Sequence, residues 1–488
     1  MGDITTTETL AQQFPNTVLK PGSPRYEEEN SKFWNRDNAD IRPSAIVTPS
    51  SVQETASIVK ILSDTETDFA IRSGGYMPVP GHNTSSSILI STTCLNSIEL
   101  VQGNLVKFGA GNQWGSVYDF LEPRGLVVPG GRSRPVGVGG FLLHGGVSHF
   151  YAEVGWACEA VVEFEVALAT GEVVVANEKE NKELYWALKG GGKNFGIVTA
   201  FTMKTRELPK MWGGVRVAVG THETAGKVFE AMHDGIQGVV DEKAHVEVIS
   251  FFVPQMCQSG DPMFALCLAY AGEVERPQAL KGFLEVEAVH DGTRTATQRE
   301  LADDDKQNIG YDKRWVSVLE GMRSHMLTHK IRGLFRAFSY HGGPQLTLDI
   351  YSEYYTLAKQ SGMFEEDPGA MAALLWLPAG PKLSSGTSVI SLGEEAEPYL
   401  SCNICFRWER PEASKKMHAI ADAIAEKLKK KVQDAGAFIP FTYANIAGVE
   451  DTTFQGLPNK TKKRLREVAA RYDPQGVFQK QVPGFNLV

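Results

Sequence analysis

The stretch that decides the fold is Ile71–His82, which reads IRSGGYMPVPGH and follows a short apolar run. Its two adjacent glycines let backbone N–H groups approach a ligand closely. Arg72 and Ser73 add donors that suit an anionic oxygen. The stretch alone therefore indicates an anion site, and a glycine-rich turn without a ligand is the alternative interpretation.

Three more glycine-rich stretches follow in the same region of the chain. They are PGGRSRPVGVGGFLLHGGVSHF (129–150), EVGWACEAV (153–161) and LYWALKGGGKNFGIVTAF (184–201). Four such loops together predict a long ligand that lies against exposed backbone, with amides rather than side chains making the contacts. A dinucleotide fits that description.

The two best-known nucleotide motifs are absent. Gly137 and Gly139 begin a G-x-G-x-x-G pattern, but Leu142 stands where the third glycine belongs. The run Gly190–Lys193 lacks the Ser or Thr that follows the lysine of a P-loop. A dinucleotide would therefore have to bind in another fold.

Composition limits the class of protein. A chain of 488 residues predicts two or three domains, and a net charge of −9 argues against nucleic acid as a partner. The sequence contains no secretory signal and no long apolar run, so we expect a cytoplasmic protein without membrane contact. We also expect a monomer. Cys402 and Cys405 form a C-x-x-C on a predicted strand, where they point to opposite faces. His325 and His329 lack the glutamate of a zinc-protease motif, so no metal is predicted.

The pattern of strands, helices and glycine-rich loops changes twice along the chain. Residues 38–208 read as helices and strands separated by glycine-rich loops, beginning with a capping box from Ser51 to Glu54. Residues 209–437 contain longer strands between helices, which indicates an antiparallel sheet covered by helices. We treat 1–37 as an N-terminal extension, and the segment 438–488 as either a third unit or a return to the first domain.

Seven motifs carry a resemblance to a known family, and they occur in the same order. They are RPSAIVTPSSVQETASIVKIL (42–62), IRSGGY (71–76), VGVGGFLLHGG (136–146), VGWACEAV (154–161), LYWALKGGGKNFGIVTAF (184–201), YANI (443–446) and RYDPQGVFQ (471–479). Together they resemble the FAD-linked oxidoreductases of the vanillyl-alcohol-oxidase superfamily, in the berberine-bridge-enzyme-like branch of fungal pathways.

The resemblance implies an α+β architecture. It consists of a PCMH-type FAD-binding domain of two subdomains, a substrate domain over the flavin, and a C-terminal segment that returns to the FAD-binding domain. The motifs also imply which residues contact the cofactor. Carried over position by position, these are Arg72, Ser73, Gly74, Gly75, Tyr76, Val136, Gly137, Gly139, Gly140, Gly145, Gly146, Trp156, Gly192, Asn194, Gly196, Ile197, Val198, Tyr443 and Asn445.

Two departures from the family pattern concern the flavin linkage. Most members of the branch write R-S-G-G-H and bond that histidine to the flavin, but this chain has Tyr76. Some members form a second link through a cysteine where this chain has Ser133. We therefore expect FAD to be non-covalent and to be a weaker oxidant than a doubly linked flavin.

A further departure concerns the catalytic base. Relatives that end the last motif with tyrosine can use it as proton acceptor, but this chain has Ile446. Tyr443 remains, either touching the flavin or taking part in catalysis. His144 stands where glycine is commoner, and an imidazole there suits a general base or a packed loop histidine. Trp156 either shapes the pocket near the flavin or packs in the core.

These observations predict an FAD-dependent oxidase or dehydrogenase that acts on a small, mostly apolar metabolite in secondary metabolism. A base removes a proton, hydride passes to the flavin, the product can cyclise, and molecular oxygen re-oxidises the cofactor. The alternative from another class is a cyclase or pericyclase that keeps FAD as a scaffold without net redox chemistry.

Overall fold

The computed structural model describes residues 2–237, 241–257, 259–303, 331–379, 388–392, 397–449 and 453–487. Within these ranges the strands form four sheets. The first sheet contains β1 (Val18–Leu19), β2 (Ala45–Val47), β3 (Phe69–Arg72) and β4 (Ile88–Ser91). The second contains β5 (Ile98–Val101), β6 (Leu105–Gly109), β8 (Val161–Ala167), β9 (Val173–Asn177) and β10 (Ile197–Lys204), and the small third one pairs β7 (Leu126–Val127) with β11 (Arg206–Glu207).

The fourth sheet has nine strands among the described residues. They are β12 (Met211–Val219), β13 (Ala244–Phe252), β14 (Met263–Tyr270), β15 (His290–Asp291), β16 (Arg294–Ala296), β17 (Arg332–Tyr340), β18 (Met371–Ala379), β19 (Tyr399–Trp408) and β20 (Phe438–Ile439). The helices are α1 (Gly2–Gln13), α2 (Pro24–Asn30), α3 (Arg36–Ala39), α4 (Val52–Asp64), α5 (Trp114–Leu121), α6 (Val138–Leu143), α7 (Tyr151–Val154), α8 (Lys182–Leu188), α9 (His222–Gln237), α10 (Lys281–Leu284), α11 (Gln298–Ala302), α12 (Pro344–Gln360), α13 (Met363–Glu366), α14 (Ser414–Asp434), α15 (Asn459–Tyr472) and α16 (Val477–Lys480). No helix in the described ranges is long and apolar enough to cross a bilayer.

The first sheet has the order β1-β2-β4-β3, in which β4 runs parallel to both neighbours. Helix α4 follows β2 and begins at Ser51, whose hydroxyl accepts the Glu54 N–H at 3.2 Å. The predicted capping box is half formed, because the Glu54 carboxylate accepts from the Ser50 N–H at 2.7 Å instead of turning back to Ser51. The helix start is therefore confirmed with a different second bond.

The second sheet is antiparallel, with the order β5-β6-β10-β8-β9. Its apolar face packs with α5 and with α15 of the C-terminal segment, because Leu465 and Val468 share one core with Phe201. In the same segment Phe478 packs edge-on against Phe69 of β3, with ring centroids 6.2 Å apart. The C-terminal segment therefore packs against both of the first two sheets.

The nine-stranded sheet is antiparallel and carries helices on one face, as the pattern after residue 209 predicts. Helices α9, α12 and α14 pack there in one large core. Because side chains alternate along a strand, every second side chain lies on the opposite face of the sheet, away from the helices. On that face, cross-strand pairing aligns Val215 with Cys267 and Ile249 with Leu375. That second face closes the cavity described below.

The predicted N-terminal extension contributes to the first sheet. Strand β1 pairs with β2, and Trp34 packs between Tyr76 and Phe335 at centroid distances of 5.4 and 5.5 Å. This segment thus joins the sheet that carries the IRSGG motif to the nine-stranded sheet. The change of sheet falls between Glu207 and Met211, beside the predicted boundary at 208; the domain limits themselves stay predictions.

Candidate active site

A cavity of about 400 Å³ lies between the glycine-rich loops and the helix-free face of the nine-stranded sheet. Most of the residues predicted from the motifs line it. They are Ser73, Gly74, Gly75, Tyr76, Val136, Gly137, Gly139, Gly140, His144, Gly196, Ile197, Val198, Tyr443 and Asn445. The glycine-rich loops, which lie far apart in the sequence, therefore lie together around one cavity.

The glycine wall depends on close backbone contact. A Cβ atom added to Gly74 would lie 2.5 Å from the Cα of Gly137, and one added to Gly137 would lie 2.5 Å from the Cα of Gly74. Gly75 has φ +69°, a left-handed conformation that favours glycine. The Ser73 hydroxyl donates to the Ala110 carbonyl at 2.7 Å and accepts from the Gly139 N–H at 3.3 Å, so it joins two loops.

The donor and acceptor set of this wall fits a flavin dinucleotide. Thr92 Oγ1 and Asn83 Oδ1 are buried, have no hydrogen-bond partner among the described residues, and belong to residues that line the cavity. Bare glycine backbone alongside them leaves room for a ligand that is recognised through amides and hydroxyls. When a buried polar atom is left unpaired in this way, a bound polar ligand is its natural partner.

Arg72 lies outside the cavity lining, although it belongs to the same motif. Its guanidinium is buried and donates to the Glu29 carboxylate, to the Glu29 carbonyl at 2.7 Å and to Ser91 Oγ at 2.9 Å. These contacts fix α2 against the first sheet. They leave the guanidinium directed at the protein, and the predicted contact of Arg72 with the cofactor stays a prediction.

Five other predicted cofactor residues also lie outside the lining. Gly145 has φ +101° and its added Cβ would lie 2.9 Å from Trp156, while that of Gly192 would lie 2.9 Å from His144 Nε2. Asn194 donates to the Phe485 carbonyl at 3.1 Å and accepts from Gln479 at 2.9 Å, which fastens the C-terminal segment. The remaining two support Tyr443: the Trp156 ring packs at 4.9 Å from its ring, and the Gly146 N–H donates to its hydroxyl.

Tyr76, at the position of the family's flavin-linked histidine, lines the cavity and packs on Trp34. Ser133, the counterpart of the second linkage, lines it as well. Neither side chain has the imidazole or thiol that the family's two flavin links require. The cysteine nearest to Ser133 along the chain is Cys158, and its thiol is buried in the core of the second sheet.

His144 has a defined tautomer. Its Nδ1 lies 3.0 Å from the Gly140 carbonyl, which can only accept, so Nδ1 carries the proton and Nε2 holds a lone pair. Burial, together with the nearby Lys193, lowers the pKa of His144 to about 4, although hydrogen bonds with the Gly140 carbonyl and the Asn445 side chain oppose this shift. Burial likewise lowers the pKa of Lys193 to about 7, and its amine donates to the His82 carbonyl at 2.6 Å. His144 is therefore a neutral acceptor at pH 7.

Tyr443 is held from two sides. Asn445 Nδ2 donates to its hydroxyl oxygen at 2.9 Å and to the Phe141 carbonyl at 3.2 Å. Burial raises the pKa of Tyr443 above its ordinary value, which outweighs the hydrogen bond from Asn445. The phenol therefore keeps its proton at neutral pH and can donate it in a hydrogen bond.

The structure adds a polar cluster that sequence reasoning missed. Arg132 Nη1 lies 3.0 Å from Glu247 Oε2 and 3.3 Å from His245 Nε2, and the His149 and His245 rings are 5.3 Å apart. All four residues line the cavity. Burial and Arg132 lower the pKa of His149 to about 3 and that of His245 well below its usual value. The alternation of His245 and Glu247 on β13 was the available signal, since it puts both on one face of the strand.

The described residues contain no group of three or more His, Cys, Asp or Glu side chains that could hold a metal ion. His325 and His329 lie outside the described residues. Cys402 faces the helix-covered core and Cys405 lines the cavity, so the pair points to opposite faces of β19 as predicted.

Comparisons with known proteins agree with this geometry. Residues 43–177 match the family model described as FAD binding domain. The chain is 28% identical to the FAD-dependent monooxygenase prx3 of Penicillium roqueforti, over 98% of this chain and 93% of that protein. Among solved structures, 6-hydroxy-D-nicotine oxidase from Arthrobacter nicotinovorans has a TM-score of 0.75 at 20% identity, covering 95% of this chain and 96% of that one. BBE-like 1 of Physcomitrella patens has a TM-score of 0.74 at 17% identity, covering 97% of each chain.

The first of these findings identifies the cofactor domain, the second extends the likeness along nearly the whole chain, and the structures share its fold. Residues 43–177 therefore form the FAD-binding domain that the glycine motifs predict, and the chain is an FAD-linked oxidoreductase that shares the fold of BBE-like 1.

Proposed function

We propose that the protein oxidises a small, mostly apolar metabolite of a secondary-metabolite pathway, using FAD that is not covalently attached. The observation that carries the proposal is the placement of His144 and Tyr443 in one cavity, between a glycine-rich wall and an apolar sheet face. When bound, FAD supplies the acceptor for a hydride. The fungal relative described above supports the pathway class.

The residues of the chain divide the remaining work. His144 Nε2, the unprotonated nitrogen, accepts a proton from the substrate, and the Gly140 carbonyl holds the ring in that tautomer. Tyr443 donates a hydrogen bond to the substrate, since both Asn445 and the Gly146 N–H already donate to its oxygen. Ile249, Phe335, Met371 and Leu375 supply an apolar wall that excludes water.

The proposal of non-covalent FAD depends on Tyr76 and Ser133. A phenol and a hydroxyl replace the imidazole and the thiol that make the family's two links, and both line the cavity. Binding then rests on the backbone amides of the glycine wall and on burial of the ring. Molecular oxygen as re-oxidant remains part of the proposal.

Anaerobic mixing of the FAD-loaded protein with a panel of apolar fungal metabolites tests the function. We expect one compound class to bleach the visible flavin band. His144→Asn keeps a donor for the Gly140 carbonyl but removes the Nε2 lone pair, so it should slow bleaching about 10²- to 10⁴-fold with unchanged FAD content. His222→Asn, on an exposed helix start, is the matched control. Product formation without bleaching would overturn the redox assignment and favour the cyclase alternative.

A further inference from the structure

One end of the cavity is polar, and we call it the His245 site. It consists of His245 and Glu247 from β13 and of Arg132 and His149 from the glycine-rich segment that faces the sheet. Ile249, two residues further along the same strand, continues the row as an apolar side chain. The site therefore lies where the two halves of the cavity meet.

The hydrogen-bond chemistry of His245 is determined by its neighbour. A guanidinium has donors only, and Arg132 Nη1 lies 3.3 Å from His245 Nε2. His245 Nε2 must therefore accept, which places the ring proton on Nδ1. His245 is 1% exposed, and its Nδ1 has no partner among the described residues. A buried N–H donor without an acceptor is costly, so His245 Nδ1–H suits an acceptor that the described protein residues do not supply.

His149 is a second buried histidine beside His245. Its ring is 8% exposed, its Nδ1 also lacks a partner within the described ranges, and it stands edge-on to His245. Tyr151 packs against the other side of His245, with ring centroids 5.0 Å apart. Both histidines thus line the same cavity, and each has an imidazole nitrogen without a partner among the described residues.

The charges at the site exclude an anionic ligand as the best fit. Arg132 and Glu247 pair at 3.0 Å, so their charges cancel. A carboxylate or phosphate would have to displace Glu247 from Arg132. An uncharged oxygen can accept a hydrogen bond from His245 Nδ1–H without disturbing that pair. The adjacent wall of Ile249 and Leu375 suits an apolar remainder.

We propose that His245 Nδ1–H binds the carbonyl oxygen of an otherwise apolar ketone or enone, with Arg132 holding the imidazole tautomer. The proposal rests on the proposed function and deepens it, because it names the substrate class. His245 is then a substrate-binding residue, Arg132 is a positioning residue, and the carbonyl is oriented toward the polar end of the cavity.

The test uses two probes of nearly equal shape, 2-acetylnaphthalene and 2-isopropenylnaphthalene, with the FAD-loaded protein. Calorimetry should show that the native protein binds the ketone about tenfold more tightly, the difference expected for one hydrogen bond to an otherwise unpaired buried donor. The ¹³C resonance of a labelled carbonyl should also move downfield on binding, relative to the probe in an apolar solvent. Because Tyr443 is a second hydrogen-bond donor in the cavity, a variant that lacks the His245 donor must show that both results depend on His245.

Three variants refine the test. His245→Asn keeps an amide donor near the Nδ1 position and should retain both the preference and the downfield shift, whereas His245→Phe should lose both. His222→Asn is the control for removing a histidine. If His245→Phe does not fold, His245→Leu, which also lacks a donor at this position, takes its place in the comparison. Equal binding of the two probes, no binding of the ketone, an unshifted carbonyl resonance, or a ketone preference that the donor-free variant keeps overturns the proposal.

The experiment requires no turnover, so its result is separable from that of the flavin-bleaching assay. Bleaching by a metabolite that lacks a carbonyl group, together with equal binding of the probes, would refute the His245 site while leaving the oxidoreductase intact. Ketone preference without bleaching by any metabolite would refute the proposed function and keep the site.

Discussion

Arg72→Met should destabilise the fold far more than it weakens FAD binding. The buried guanidinium donates to Glu29 and Ser91 and lies over the Phe33 ring at 4.7 Å. Burial lowers the pKa of Arg72 to about 10, so it is charged at pH 7. Burial alone would raise the pKa of Glu29, but Arg72, Lys32 and neighbouring hydroxyls lower it to about 2.

The magnitude follows from these contacts. Removing one partner of a buried ion pair destabilises a protein by about 3 to 5 kcal/mol. The lower figure applies here, because Lys32 remains 2.7 Å from the Glu29 carboxylate and Ser91 Oγ 2.6 Å from it. The shift in the pKa of Glu29 corresponds to about 3 kcal/mol for burial, Arg72, Lys32 and the hydroxyls taken together. An unfolding unit of about 150 to 250 residues, the size class of the predicted FAD-binding domain (38–208), would then lose about 6 to 12 °C in Tm.

The sign of the pH dependence is fixed as well. The folded-state pKa of Glu29 is depressed, so its contribution is complete above its unfolded pKa of about 4.5 and is lost as pH falls toward about 2. The difference in stability between native protein and Arg72→Met should therefore shrink across this window.

Scanning calorimetry of the apo and FAD-loaded protein, with FAD titration of each variant, measures these effects. Lys60→Met removes an exposed pair with Asp64 at 2.8 Å and should change stability by less than about 1 kcal/mol. Glu29→Gln leaves the guanidinium buried without a carboxylate, so adding Arg72→Met to it should recover stability. Unchanged apo stability together with a large loss of FAD affinity would refute this reasoning and place the guanidinium on the cofactor.

Three further predictions concern the glycine wall, the flavin and the thiols. Gly74→Ala should lower FAD content and Tm, because its Cβ would lie 2.5 Å from backbone atoms. Gly226→Ala, in an open helix position, should raise stability by up to about 1 kcal/mol. Absorbance spectra and thermal scans compare the two variants. Acid precipitation should leave yellow FAD in the supernatant, and a yellow pellet would contradict the inference from Tyr76. Exposed Cys94 should react with a maleimide in the native protein while buried Cys402 reacts only after unfolding, as mass spectrometry can show.

The cofactor side of the cavity is predictable from sequence because its chemistry is carried by glycine. Gly74 and Gly137 touch each other's backbone, so no residue with a Cβ fits at either position. This need for glycine can therefore be recognised from the sequence. The polar side chain in the same motif is not so constrained. Arg72 follows Ile71 on β3, yet its guanidinium meets Glu29, a residue 43 positions earlier that no local pattern connects to it.

The substrate side could not be predicted, because it depends on the register of long strands. The strand pattern of HVEVISFF is legible, but only pairing of β13 with β14 and β18 shows which face carries a cavity and which carries helices. A slip of one residue would turn His245 and Glu247 into the helix-covered core and bring Val246 and Val248 to the ligand. The register therefore decides whether this sheet offers a polar or an apolar surface to a substrate.

That dependence explains why one cofactor site can serve different substrates. The glycine wall tolerates little change, since each Cβ added at Gly74 or Gly137 meets backbone. The opposite wall is built from alternate side chains whose backbone is already paired within the sheet, so a substitution such as His245→Phe alters the ligand contacts without removing a main-chain hydrogen bond. Substrate choice in this architecture can then change through side chains on the helix-free sheet face while the flavin cradle stays as it is.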